Sequence, residues 1–148
     1  MDDDEVAFRQ HRAANDPAFP ALREEAWRRI VVALEGVLGP AGYVLNGATW
    51  SKPSSQGRSA VHLQRNRYGW DVQIILRFVT PEGGVPDHPD WPGGEDVTLA
   101  AFFERAERDP GTLAFVDVLE RPDCLDHVVD ILREQVLPWF DALHFPQG

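Results

Sequence analysis

The chain's one cysteine, Cys124, stands three residues before His127. On a helix that spacing puts both side chains on one face, within reach of each other. A thiol beside an imidazole is the beginning of a nucleophilic site, and a helix N-terminus lowers a thiol's pKa further. Asp123 and Asp126 sit next to the pair, and their negative charge opposes thiolate formation. No G-x-S-x-G elbow accompanies them.

A second group of chemically able residues crowds the Pro- and Gly-rich stretch 80–96. Asp87, His88, Asp90, Glu95 and Asp96 could present oxygen ligands to calcium, but the EF-hand spacing is absent. A solvated acidic loop is the plainer reading. His11, His62, His127 and His144 form neither an H-E-x-x-H nor an H-x₃-H set. Gly36, Gly39 and Gly42 belong to no phosphate-binding fingerprint and flank a helix end. No catalytic residue, metal or cofactor is therefore assigned.

The third candidate depends on strand register. Trp70, Val72, Ile74, Leu76 and Phe78 alternate with Asp71, Gln73, Ile75, Arg77 and Val79. This period of two describes a half-buried antiparallel strand. Val61 and Leu63 share one face of the preceding run. With those residues turned inward, His62, Gln64, Gln73 and Arg77 lie on the outer face beside Ile75 and Val79. A mixed face carrying an arginine and a histidine suits an interface or a shallow pocket; an ordinary solvated sheet face competes with that reading. Trp91, which no core pattern explains, is expected to fold over this face or to anchor a partner. The expected binding residues are thus His62, Gln64, Gln73, Arg77 and Trp91.

These side chains need a scaffold, and the pattern supplies one. After Asp16-Pro17 and Phe19-Pro20, the stripe Trp27, Ile30, Val31, Leu34, Val37, Leu38 predicts an amphipathic helix ended by Gly39-Pro40. Three strands follow, at 43–52, 59–67 and 70–79. Tyr43 and Trp50 are an odd number of residues apart, so both reach the core only if the chain changes phase, which predicts a bulge at Asn46-Gly47. A short helix carrying Leu99, Phe102, Phe103 and Ala106 comes after the acidic loop. Residues 113–119 fit either a fourth strand or a turn or two of helix. A final helix begins near Asp123, with Pro138 predicting a kink or a break. Helices segregated to one face of an antiparallel sheet of three to five strands give an α+β two-layer sandwich. Residues 1–16 read as an acidic tail and 17–148 as a single domain.

Residue Gly42-Tyr43, then Trp50, His62-Leu63-Gln64-Arg65-Asn66, Tyr68-Gly69-Trp70-Asp71-Val72 and Leu137-Pro138-Trp139-Phe140 give the chain a family likeness over roughly residues 20–143. On those motifs it resembles the bacterial family catalogued as domain of unknown function 4304. The resemblance implies the same α+β fold and brings no activity, cofactor or site residue with it.

The chain has 148 residues and a net charge of −10, unevenly spread. Residues 17–80 hold four acids and eight bases, whereas residues 81–148 hold fifteen acids and four bases. Such a field disfavours nucleic acid and suits a basic partner. One cysteine excludes an intrachain disulfide, the N-terminus is acidic, and no apolar run approaches membrane-spanning length. The expectation is a cytoplasmic protein, a monomer or a homodimer paired through a sheet edge. Its expected role is a non-enzymatic module that binds a basic protein, as immunity proteins do. The alternative is a small-molecule site or unrecognised enzyme between the sheet and the acidic loop, around His62, Arg77, His88 and Trp91.

Overall fold

A computed structural model describes residues 19–65, 71–87, 91, 94–102 and 110–145. The expected acidic tail lies outside the described residues, as do Trp70, His88, Asp90, Phe103 and Ala106. Helix α1 spans Phe19–Leu38. Ala26, Ile30, Leu34, Val37 and Leu38 form its buried face, with Trp27 and Val31 packed at the margin. Pro20 falls in the first turn, where its missing N–H has no partner to lose. The chain leaves the helix through Gly42 at φ 96°, a conformation that a Cβ disfavours.

Six antiparallel strands follow: β1 (Val44–Asn46), β2 (Thr49–Ser54), β3 (Gly57–Arg65), β4 (Asp71–Val79), β5 (Val97–Thr98) and β6 (Thr112–Ala114). They are ordered β1-β2-β3-β4-β5, and β6 pairs with β4 beside β5. The expected bulge at Asn46-Gly47 is instead a tight hairpin. Asn46 pairs with Thr49 across the two residues Gly47 and Ala48, and Gly47 takes φ 65°. Tyr43 and Trp50 both reach the core, as required. A reversal and a bulge satisfy the same phase constraint, and a glycine at positive φ serves the reversal. Pro53 is tolerated in β2 because β1 ends its pairing at Ser51, so no strand claims the proline's missing donor on that side.

The segment 113–119 turns out to be both alternatives: β6 runs directly into helix α2 (Phe115–Glu120). Helix α3 (Asp123–Ile131), a π-helical turn (Leu132–Val136) and helix α4 (Leu137–His144) then form one continuous rod. The N–H of Leu137 bonds back to the Leu132 carbonyl, so the wide turn comes just before Pro138 and accommodates its lost donor. The stretch after the acidic loop differs from the short α-helix expected. Val97–Thr98 joins the sheet, and Leu99–Phe102 winds as a 3₁₀ turn, while Phe103 and Ala106 of the expected helix lie outside the described residues.

The inward residues Trp50, Val61, Leu63, Val72, Ile74, Leu76 and Phe78 meet the buried faces of α1, α2 and the C-terminal rod in one cluster. The architecture is α+β, with a sheet backed by helices. No described helix is long and apolar enough to cross a membrane.

Candidate functional site

The outer sheet face is a grid fixed by register. One row crosses four strands as Thr49, His62, Ile75 and Thr98. The next row holds Ser51, Ala60 and Arg77, and the row on the other side holds Gln64 and Gln73 opposite each other, with Thr112 beyond. Four of the five residues named from the sequence therefore share one surface. His62 Nδ1 lies 2.8 Å from Thr49 Oγ1. Burial, and then the Arg77 charge, press the His62 pKa below its ordinary value. Arg77 donates from Nε to Asp96 Oδ1 at 2.5 Å, which holds the Asp96 carboxyl below its usual range. Arg58 Nη1 reaches Ser51 Oγ at 3.1 Å.

At the end of β4 this face borders a concavity of about 350 Å³. Arg77, Val79, Val85 and Glu95 line it, with Gly83 and Gly84 forming the lip. The lip is a hydrogen-bonded turn: Gly83 N donates to the Thr80 carbonyl, Thr80 N to the Gly84 carbonyl, and Gly84 N to Thr80 Oγ1. His62 does not line this concavity, and His88 is outside the described residues.

Trp91 is not on this face. It belongs to the core cluster and is 8% exposed. Its ring stacks on Trp139 of α4 at 5.1 Å between centroids and 5° between planes, and Nε1 donates to the Gly94 carbonyl at 3.0 Å. Phe102 meets the other aromatic edge of Trp139 at 88°. A loop tryptophan flanked by prolines shows no periodicity, so its burial was invisible until Trp139 was placed.

Cys124 and His127 do meet at a concavity of about 280 Å³ beside β6, together with Asp117 of α2. Burial pushes the Cys124 thiol up, and Asp117 and Asp123 push it further. A raised thiol pKa runs against the thiolate that nucleophilic catalysis uses. Among the described residues no three His, Cys, Asp or Glu side chains converge to hold a metal.

The chain matches no family model, no curated protein and no solved structure.

Two further features escaped sequence reading. Ser59 and His144 are buried polar residues joined in a network on the inner face. The signal for Ser59 was present: it occupies the inward phase of β3, between Gly57 and Val61. The second feature is an acidic stripe on the C-terminal rod. Asp123, Asp126, Asp130 and Glu134 recur every three or four residues, and all are exposed, as is Asp141 one helix further on. Arg133 approaches Asp130 at 3.6 Å, an exposed contact of little energetic weight. No base among the described residues forms an ion pair with Asp123, Asp126 or Glu134.

Proposed function

We propose that this protein is a non-enzymatic binding module that takes a basic protein partner, with the C-terminal rod as its recognition surface. The observation that carries the reading is the alignment of Asp123, Asp126, Asp130 and Glu134 on one exposed face. Aligned like charges repel and are destabilising in a free helix, so a face that keeps them gains most from an opposite charge brought by a partner.

Affinity capture from the cell of origin tests it, using the native chain and the variant Asp123→Asn/Asp126→Asn/Asp130→Asn/Glu134→Gln. The expected result is a basic protein retained by the native chain, with affinity falling steeply with salt and at least tenfold weaker for the variant. Identical captures by the two chains would overturn the proposal.

A second reading is favoured by the concavity of about 350 Å³ beside Arg77, which is close to the lower size limit of small-molecule pockets. Its ligand would lie between the sheet end and the acidic loop. Val85→Trp, which fills the lip, would then abolish ligand binding while leaving protein capture intact.

A further inference from the structure

The concavity at the end of β4 sets two opposite charges beside exposed aliphatic surface. Arg77 and Glu95 line it, and Val79 and Val85 stand in its wall with 45% and 43% of their surface still exposed. Its volume of about 350 Å³ suits a ligand smaller than a drug.

Both charged groups keep binding capacity. Asp96 takes only the Nε end of the Arg77 guanidinium, at 2.5 Å. The Nη1 and Nη2 ends have no acceptor among the described residues, and they form a planar fork of donors that fits a carboxylate. Glu95 is exposed and has no ion pair or hydrogen bond among the described residues. It lies near Arg77: the bond from Asp96 raises the guanidinium pKa most, and the Glu95 charge adds to that rise. The lip offers no rival donors, because Gly83 N and Gly84 N are both spent on Thr80.

The charges on the elements that build the site nearly cancel. Arg77 is matched by Asp96. Arg58, opposite Val79 in register, turns Nη1 to Ser51 Oγ on β2. Glu82 stands exposed in the lip turn. His62, one row away, has its pKa pushed down by burial and then by Arg77, so it adds no full charge at neutral pH. Among the described residues two cations, Arg58 and Arg77, thus face three carboxylates, Glu82, Glu95 and Asp96. A ligand of either single sign gains from one wall group and is repelled by the other. A ligand that carries both signs close together gains from both.

We propose that this concavity binds a free α-amino acid with an aliphatic side chain. The carboxylate takes the Nη fork of Arg77, the ammonium meets Glu95, and the side chain covers Val79 and Val85. The proposal rests on the second reading above, that a small molecule enters here, and names its class.

NMR titration of the ¹⁵N-labelled chain at neutral pH tests it. The probes are L-leucine, 3-methylbutylamine, which lacks the carboxylate, and 4-methylpentanoate, which lacks the ammonium. Leucine should move the amide resonances of Arg77, Val79, Gly83, Gly84, Val85 and Glu95 saturably, with half-saturation at about 1–10 mM, as a ligand of its size permits. Each single-charge probe should bind at least fivefold more weakly. Glu95→Gln should weaken leucine at least fivefold and tighten 4-methylpentanoate, whereas Arg77→Ala should weaken leucine and tighten 3-methylbutylamine. A variant that merely folded badly would lose all three probes, so the reciprocal gains identify the two charges. If either single-charge probe binds the native chain as tightly as leucine, the amino-acid assignment falls while the small-molecule reading stands. Leucine binding unchanged in both variants would also overturn the assignment. No saturable shift with any of the three probes sinks the assignment and the small-molecule reading together.

Discussion

His144 Nε2 lies 2.7 Å from the hydroxyl of Ser59, a residue 85 positions earlier in the chain. Ser59 also lies 2.7 Å from the Tyr43 hydroxyl, and His144 Nδ1 lies 2.5 Å from Ser54 Oγ. One proton arrangement satisfies every donor. Burial pushes the Tyr43 phenol up to about 12, so it remains a donor and donates to Ser59. Ser59 then donates to Nε2, and the Nδ1 hydrogen goes to Ser54. The chain of bonds ties the end of α4 to β2, β3 and the entry to β1. Because both Ser59 and His144 are almost completely buried, it acts as a fastener and not as a reactive centre. Ser59→Ala leaves two buried groups without a partner and should lower unfolding free energy by about 2–3 kcal/mol, while Tyr43→Phe removes one donor at about 1 kcal/mol. Urea melts of both singles and the double should show coupling of at least ~0.5 kcal/mol; simple additivity would dissolve the network into unrelated contacts.

The same network makes stability depend on pH. Burial, and then the Lys52 charge, depress the His144 pKa below its ordinary value near 6.5, with Asp141 opposing them. The depressed value means the neutral imidazole is favoured by the fold. Its stabilisation is complete above about pH 6.5 and declines as pH falls from there toward the folded-state pKa, because the unfolded chain binds the proton first. Melting temperatures should therefore drop between pH 7.5 and 5. His62 is depressed too, so it contributes in the same direction. His144→Gln should flatten the profile more than His62→Gln does, and an unchanged slope in His144→Gln would refute the assignment.

Two glycines should respond to alanine with opposite signs. Gly57 opens β3 at φ 142°, and a Cβ there would stand 2.3 Å from the Val79 carbonyl oxygen and 2.7 Å from Phe78 Cε1. That backbone belongs to the neighbouring strand and cannot move aside without breaking the β3–β4 ladder. Gly57→Ala should destabilise by more than about 2 kcal/mol. Gly36 lies within α1, exposed, with nothing within 4 Å of its added carbon. Gly36→Ala should stabilise by about 0.5–1 kcal/mol, the difference in helix propensity. Thermal melts of the two variants decide both.

These contrasts mark what the sequence made legible. The alternation 72–78 and the stripe 27–38 were readable because a single buried face imposes a period over many residues. The outer positions of His62, Gln64, Gln73 and Arg77 followed from that period. β5 was not readable, since Val97 and Thr98 are too few to show any period. The partner of Ser59 could not be named either, because no local pattern encodes a contact across 85 residues. The inward phase of Ser59 was the only trace. At Asn46–Ala48 the phase change was legible but its mechanism was not, as a bulge and a hairpin leave the same signature.

The Arg77–Asp96 pair should matter little to stability despite its short distance. Both side chains are well exposed, at 38% and 48%. Exposed pairs lose most of their attraction to solvent and salt, so Asp96→Asn should change unfolding free energy by less than about 1 kcal/mol. Asp96 favours the charged imidazole of His62 whereas Arg77 opposes it, so the two variants should act on the His62 pKa with opposite signs. Arg77→Ala should raise it, and Asp96→Asn should lower it. ¹H–¹³C NMR titration of the imidazole reads both, and shifts of the same sign would contradict the arrangement.

Trp91 gives the last test, of how the acidic loop is held. Its stacking on Trp139 and its bond to Gly94 bury a large side chain from a segment with few other apolar groups. Trp91→Ala removes that area and, among the described aromatic residues, leaves Phe102 and Phe140 against the Trp139 ring. Substitutions of this kind cost about 3 kcal/mol in a rigid core, and somewhat less at a margin that can relax. Trp91→Phe keeps a ring over Trp139 and should restore more than half of the loss. Two nearly parallel indoles also couple their transitions, so the native near-ultraviolet circular dichroism should contain a component lost in both variants. If stability falls in Trp91→Ala while that component persists, the stacked pair is not the source of the signal. If neither changes, the loop is held by contacts other than Trp91.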